Sequence, residues 1–414
     1  MPRRVVITSV GIISSLGFAP EAIVSRLKQD RVAFEHSATE GDVATCPIKG
    51  FEARDFTGRF KNIRYLNRGA GFSVAAALKA VEESGLDTET ISRMGLFVGA
   101  GPNLDLSGEC PEIHAGHLDT DHLKALWILR FLPNTATSVI SSLAGIHGES
   151  LTLGTACTAS LQAVGEAFRR IRLGYLDVAL AGGGDSRLSP GGILAYKKAH
   201  ALFHSPGNPK QEYAPFDRAR NGFIPGEGGA FVFLEAGDHA EERGVPALAE
   251  ICGYGSSLDG YSMTAPAPGG RWPEKAVLSA LDEAKLTPDT IDLISAHGTG
   301  TPLNDDMEAG LIHRLYGKHH PPVIALKSWI GHTAAACGAV ELAILLACLK
   351  AGHIPEIRNL SQPCHKGVHF VRKPTAGSPR WVVVQNFGFG GQNSALVLHH
   401  SEKAPNRPAS SESV

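Results

Sequence analysis

Short, almost continuously apolar runs alternate along this chain with amphipathic stretches, and that alternation restricts the fold more than any other feature. Strand-like runs stand at 5–8, 95–98, 151–153, 178–181, 230–234, 291–295, 323–325, 381–384 and 395–398. Apolar residues at helical spacing mark 70–84, 159–173, 271–284, 306–316 and 339–351. A strand that is apolar on both faces must be covered on both faces. The pattern therefore predicts an α/β protein with buried, largely parallel sheets.

A single core stops growing near ~250–300 residues, so 414 residues call for two lobes or a duplicated core. An internal echo favours duplication. RRVVITSVGIISSLG at the start resembles ALAEICGYGSSLDG at 247–260. Each is followed by an amphipathic helix and then by a strand ending in glycines, GLFVGAG at 95–101 and DLISAHGTG at 292–300. The expected halves are 1–245, carrying Cys157, and 246–400, carrying His297 and His332. The polar stretch 401–414 has no apolar rhythm and reads as a disordered tail.

The net charge of −2 gives no global pull toward nucleic acid or anionic membrane. The seven cysteines form no CxxC pair, which argues against a disulfide framework or a zinc ribbon and fits a reducing, cytoplasmic setting. The apolar start is β-branched and broken by Gly11 and Gly17, so it reads as a strand and turn rather than a signal peptide. No stretch is long and apolar enough for a membrane-spanning helix.

Four constellations carry chemistry. In GTACTAS, Cys157 sits where a short strand turns into a buried helix. A helix N-terminus favours a thiolate, lowers its pKa and offers N–H groups to an oxyanion. In AHGTGTPLNDDMEAG, His297 follows a strand and precedes Gly298 and Gly300, a place suited to facing a ligand. Asp305, Asp306 and Glu308 read there as a solvated helix N-terminus rather than a metal site. In LKSWIGHTAAACGAVELA, Lys327 and His332 flank a turn, and Glu341 lies inside the following helix, where it needs Lys327 or a backbone donor as partner. In NFGFGGQNS, Gly388, Gly390 and Gly391 form a loop that can bring N–H groups to a substrate, with Phe387 and Phe389 as core residues or a gate.

These motifs occur in one order: GTACTAS, PFDRARNGFIPGEGG, SAHGTGTPLND, KSWIGHTAAACGAVE and NFGFGGQN. Together they resemble the elongating β-ketoacyl-acyl carrier protein synthases over about residues 3–400. The resemblance implies a thiolase-like fold, two related α/β halves in five α-β-α-β-α layers, and an obligate dimer. It implies decarboxylative Claisen condensation of malonyl-carrier protein with an acyl chain on Cys157, in fatty-acid or polyketide synthesis. His297 and His332 would then act on the malonyl thioester, with Lys327 and Glu341 ordering them. The N–H groups of Cys157 and Phe389 would form the oxyanion hole, and Phe389 the gate. Thr264, Thr299, Thr301, Phe387, Gly388 and Gly390 would line the substrate path. No tightly bound cofactor is implied, only the phosphopantetheine arm of the carrier protein. Because carrier proteins are acidic, a basic patch is expected, with Arg59, Lys61, Arg64, Arg68, Arg169, Arg170 and Arg172 as candidates.

The chain departs from the family at several points. The stretch 131–157 is a few residues shorter than usual, which bears on acyl length and partner choice. Some members bind a cation through residues whose places here hold Ser295 and Val384, so no metal is expected despite Glu308. Two alternatives differ in class. A thiolase working on free coenzyme A would need a cysteine in the glycine-rich loop. The non-catalytic chain-length subunit of a paired synthase would lack the nucleophile, although this chain could be the active half of such a heterodimer.

Overall fold

The structure, a computed structural model, describes residues 2–37, 41–104, 113–114, 117–118, 125–205 and 207–401; residues 402–414 of the expected tail and Cys110 lie outside them. Five strands belong to the first half: β1 (Val5–Ile13), β2 (Gly95–Gly99), β3 (Ser150–Leu153), β4 (Val178–Ser186) and β5 (Glu227–Ala236). Five belong to the second: β6 (Ala249–Leu258), β7 (Leu293–Ser295), β8 (Val323–Ile324), β9 (Trp381–Gly388) and β10 (Gln392–His399).

The two sets repeat one topology. The first runs β3-β2-β4-β5-β1 and the second β8-β7-β9-β10-β6, the same order of first to fifth strand. In each set the second strand pairs in parallel with the third and fourth, and the fifth is antiparallel to the fourth and first. The sets join where β1 pairs antiparallel with β6, Val5 opposite Ile251. Antiparallel ladders thus outnumber the parallel ones in this sheet, five to four, contrary to the sequence expectation. A continuous apolar run shows that both faces of a strand are covered, and it carries no signal of strand direction.

Helices α1 (Arg68–Ser84) and α2 (Thr135–Ala144) cover the outer face of the first half-sheet. Helices α4 (Arg271–Glu283) and α5 (Pro302–Tyr316) cover that of the second. Between the half-sheets lie α3 (Ala159–Arg172) and α6 (Cys337–Lys350), packed on each other. The five α-β-α-β-α layers of the thiolase-like fold follow. The central layer explains the composition of α6: every residue from Cys337 to Leu349 is buried, so the helix is apolar all round apart from Glu341. Leu161, Val164 and Phe168 of α3 meet Val340, Ile344 and the inner faces of both half-sheets in one cluster. Among the described residues no helix is long and apolar enough to cross a membrane.

The duplication reaches the chemistry. In each half a short 3₁₀ turn opens the central helix, Ala156–Thr158 directly after β3 and before α3, and Ala334–Ala336 before α6 after a helical turn at Lys327–Ile330. Each turn begins with an alanine at φ 49°, in the left-handed region that a Cβ disfavours. Such strain persists only where surrounding packing fixes it. Here the two turns pack against each other at the centre of the molecule.

Candidate active site

Cys157 lies in the first 3₁₀ turn, one turn ahead of the α-helix proper, and lines a cavity of about 370 Å³ with His297, His332 and Phe389. Burial pushes its thiol up, partly offset by a hydrogen bond from the Phe389 N–H and by the charges of Lys327 and Arg187. The expected lowering by a helix terminus is therefore outweighed by desolvation. The cysteine's carbonyl accepts a hydrogen bond from the Cys337 thiol at 2.9 Å, which ties the two turns together.

The two imidazoles face each other, ring centroids 5.5 Å apart and planes at 89°. Lys327 Nζ lies 3.1 Å from His297 Nδ1. An ammonium has no lone pair, so Nδ1 accepts and the ring proton sits on Nε2. The Ala334 N–H donates to His332 Nδ1 at 3.1 Å, which fixes the same tautomer there. Burial and the Lys327 charge hold both imidazoles well below the ordinary histidine range, with each other's proximity adding to the effect on His297. Both rings are thus neutral, and each has a donor Nε2–H.

Lys327 spends its three protons on His297 Nδ1, the His297 carbonyl at 2.7 Å and Glu341 Oε1 at 2.5 Å. Burial alone would lower its pKa, but Glu341 outweighs this and holds it above the ordinary lysine value. The partner of Glu341 is therefore Lys327, with a second one in Asn386. Asn386 Nδ2 donates to Glu341 Oε2 at 2.9 Å and stands 3.1 Å from His297 Nδ1. Sequence reasoning passed over Asn386. The available signal was an amide at the end of an apolar strand, where a buried polar group needs partners.

The carboxylates after His297 are not solvated. Asp305 and Glu308 are fully buried, and only Asp306 is exposed, paired with Arg220. Glu308 accepts from the N–H groups of His297 at 2.7 Å and Gly298 at 2.8 Å, and from Gln385 Nε2 at 2.7 Å. Asp305 accepts from the N–H groups of Thr299 and Gly300, both at 3.0 Å, and of Phe216 at 2.7 Å. Burial lifts Glu308 to about 7 against these hydrogen bonds. The strand residue that reaches Glu308 is Gln385, not Val384, which lies in the central core. Among the described residues no group of three or more His, Cys, Asp and Glu is arranged to hold a metal ion.

The glycine-rich segment is a hairpin turn. Residues Gly388 and Gln392 still pair across β9 and β10, and the Gly391 N–H donates to the Gly388 carbonyl. The Gly390 N–H is taken by the Met263 carbonyl at 2.7 Å, so it is not offered to a substrate. A Cβ at Gly388 would fall 3.1 Å from the Cys157 nitrogen, which explains a glycine there. Thr264, Thr299, Thr301, Phe387 and Gly388 line the cavity, and Gly390 does not. Phe387 is buried with its ring 6.0 Å from His297, while Phe389 packs on the apolar cluster of Ile193 and Phe223.

The proposed basic patch divides. Arg169, Arg170 and Arg172 lie at the far end of α3 from Cys157, paired with Glu166, Glu149 and Glu283. Arg68 is bound by Glu227 through two nitrogens. Arg59, Lys61 and Arg64 are exposed.

A family model described as the N-terminal domain of β-ketoacyl synthases matches residues 3–240, and one for the C-terminal domain matches residues 248–361. A putative polyketide β-ketoacyl synthase 1 of Streptomyces halstedii is 32% identical over 97% of this chain and 99% of its own. The 3-oxoacyl-[acyl-carrier-protein] synthase 2 of Vibrio cholerae is 31% identical over 96% and 99%. A β-ketoacyl synthase from Burkholderia phymatum matches in structure with TM-score 0.88 at 30% identity, covering 97% of this chain and all of its own. The ishigamide ketosynthase/chain length factor also reaches TM-score 0.88, at 29% identity over 97% of this chain. With both domain models matched in order across a duplicated thiolase-like fold, the chain belongs to the β-ketoacyl synthase family of acyl-transferring condensing enzymes.

Proposed function

We propose that this protein extends a Cys157-bound acyl chain by two carbons from malonyl-carrier protein, in fatty-acid or polyketide synthesis. The observation that carries the reading is the pair of neutral imidazoles, each with Nδ1 occupied as an acceptor and Nε2–H free to donate. The Cys157 sulfur attacks the acyl thioester, and the pantetheine sulfur leaves, taking the proton that the thiol gives up. The malonyl group then enters with its thioester oxygen between His297 and His332. Loss of carbon dioxide puts the electron pair of the broken C–C bond into an enolate, whose oxygen the two Nε2–H groups stabilise. The enolate carbon attacks the acyl-Cys157 carbonyl, and the N–H groups of Cys157 and Phe389 receive the oxyanion. Its collapse forms the β-ketoacyl thioester and returns the Cys157 thiolate. A positive imidazole is not required at any step, which suits rings held neutral by burial.

The arm carrying these thioesters is read as phosphopantetheine on a carrier protein, passing Thr264, Thr299 and Thr301. The exposed cations Arg59, Lys61 and Arg64 are its proposed contacts. A dimer, with a second copy or a related subunit, is supported by the edge strand β3 and the exposed Leu126, Ile128 and Leu151. The setting is read as cytoplasmic. The test separates the half-reactions. Cys157→Ala must abolish acyl transfer while malonyl decarboxylation persists, and His297→Ala must do the reverse. A Cys157→Ala protein that still condenses would sink the reading.

A further inference from the structure

A buried ion pair that the condensation does not use is tied to the 334–336 turn, which packs on the turn of Cys157. Arg187, 4% exposed, follows β4. Its Nη2 donates to Asp185 Oδ2 at 2.9 Å and its Nη1 to the Pro102 carbonyl. The backbone makes room for it: a Cβ at Gly101 would fall 1.9 Å from Nη2. Asp185 also accepts the Ala335 N–H at 3.1 Å, so the pair is anchored to the turn that follows His332. On the Asp185 side lies a second cavity of about 370 Å³, lined by Gly101, Pro102, Phe131, Asp185 and Leu188. Cys157 and Tyr196 line the nucleophile cavity, and both feel the Arg187 charge.

We propose that Arg187, held by Asp185, closes the inner end of the acyl pocket and restricts the Cys157-bound chain to short acyl groups. The inference rests on Cys157 as the acyl carrier. A long alkyl chain reaches the second cavity only by parting the guanidinium from Asp185 and Pro102. That separates two buried opposite charges and sets methylenes against them, which dispersion contacts further on do not offset. Replacing the charge by an apolar side chain of similar length joins the two cavities.

The test uses synthetic acyl-pantetheine thioesters from acetyl to dodecanoyl, with intact-mass detection of acyl-Cys157, on the wild type, Arg187→Met and the double variant Asp185→Asn/Arg187→Met. The expected wild-type preference for butyryl over decanoyl is ~10-fold or more, falling to within ~3-fold in either variant. The double variant removes both charges, so it reports even where the single one does not fold. Equal acylation by short and long chains in the wild type overturns the proposal, as does an unchanged preference in a folded variant. Acylation by none of the thioesters, in folded wild type, overturns the acyl-carrier reading itself.

Discussion

Replacing Asn386 by alanine separates positioning of His297, proposed above to promote decarboxylation, from the chemistry of the nucleophile. The amide is fully buried, donates to Glu341 Oε2 at 2.9 Å and stands 3.1 Å from His297 Nδ1. A net hydrogen bond contributes about 1.5–3 kcal/mol to a charged partner and about 0.5–1.5 kcal/mol to a neutral one. Losing both costs about 2–4.5 kcal/mol of stability by that reckoning. Lys327 still donates to Nδ1, so the tautomer survives and only the ring's second anchor goes. A donor displaced by a fraction of an ångström slows decarboxylation by roughly 10–100-fold. Acyl transfer to Cys157, which Asn386 does not touch, stays within about twofold of wild type on the same reasoning. Acyl transfer is read by intact mass, and decarboxylation by carbon dioxide release from malonyl-carrier protein on enzyme with Cys157 alkylated beforehand. Equal slowing of both half-reactions, or of neither, would refute the positioning role.

Other outcomes follow from the same geometry. Gly388→Ala places a Cβ 3.1 Å from the Cys157 nitrogen and should cut condensation by about 100-fold, with Tm little changed. Glu308→Ala frees the N–H groups of His297 and Gly298 in the interior and should lower stability by about 2–5 kcal/mol in denaturant melts. Decarboxylation by alkylated enzyme should stay level from about pH 8 down to about pH 6, because both imidazoles titrate well below the usual value of about 6.5. The same depressed values mean that only the unfolded chain takes up those protons just below pH 6.5. The histidines' contribution to stability is therefore present above about pH 6.5 and is lost as the pH falls below it. Acyl transfer should instead rise with pH to beyond the ordinary thiol range, since burial raises Cys157.

Much of the fold was legible because burial writes itself into composition. The strands at 95–99, 178–186 and 381–388 and the helices α3 and α6 announce themselves by apolar runs and spacing. The repeat of strand, glycine and helix pointed to duplication, and the matching strand orders bear it out. Strand direction was not legible, because antiparallel β5 and β10 are as thoroughly buried as parallel β2 and β7. The candidate site was legible through residue types at element ends, which singled out Cys157, His297 and His332, and the structure brings all three to one cavity. What escaped were groups whose roles exist only across the fold. Asn386 bridges residues from two other segments, Asp305 and Glu308 turn inward onto backbone amides, and Arg187 reaches back to Pro102. The arginines of α3 are paired in the structure, Arg169 with Glu166 on its own helix and Arg170 and Arg172 with Glu149 and Glu283, which helical spacing does not reveal because they come from other segments.

The most direct measurement follows the acyl group through one turnover. Wild type and Cys157→Ser are loaded with a short acyl-carrier protein, then chased with malonyl-carrier protein, and their intact masses are recorded with time. A mass gain confined to Cys157 in the wild type, which decays as a β-ketoacyl carrier two carbons longer appears, is the predicted result. A product formed without that intermediate, or a mass gain that persists in Cys157→Ser through a thioester elsewhere, would contradict it.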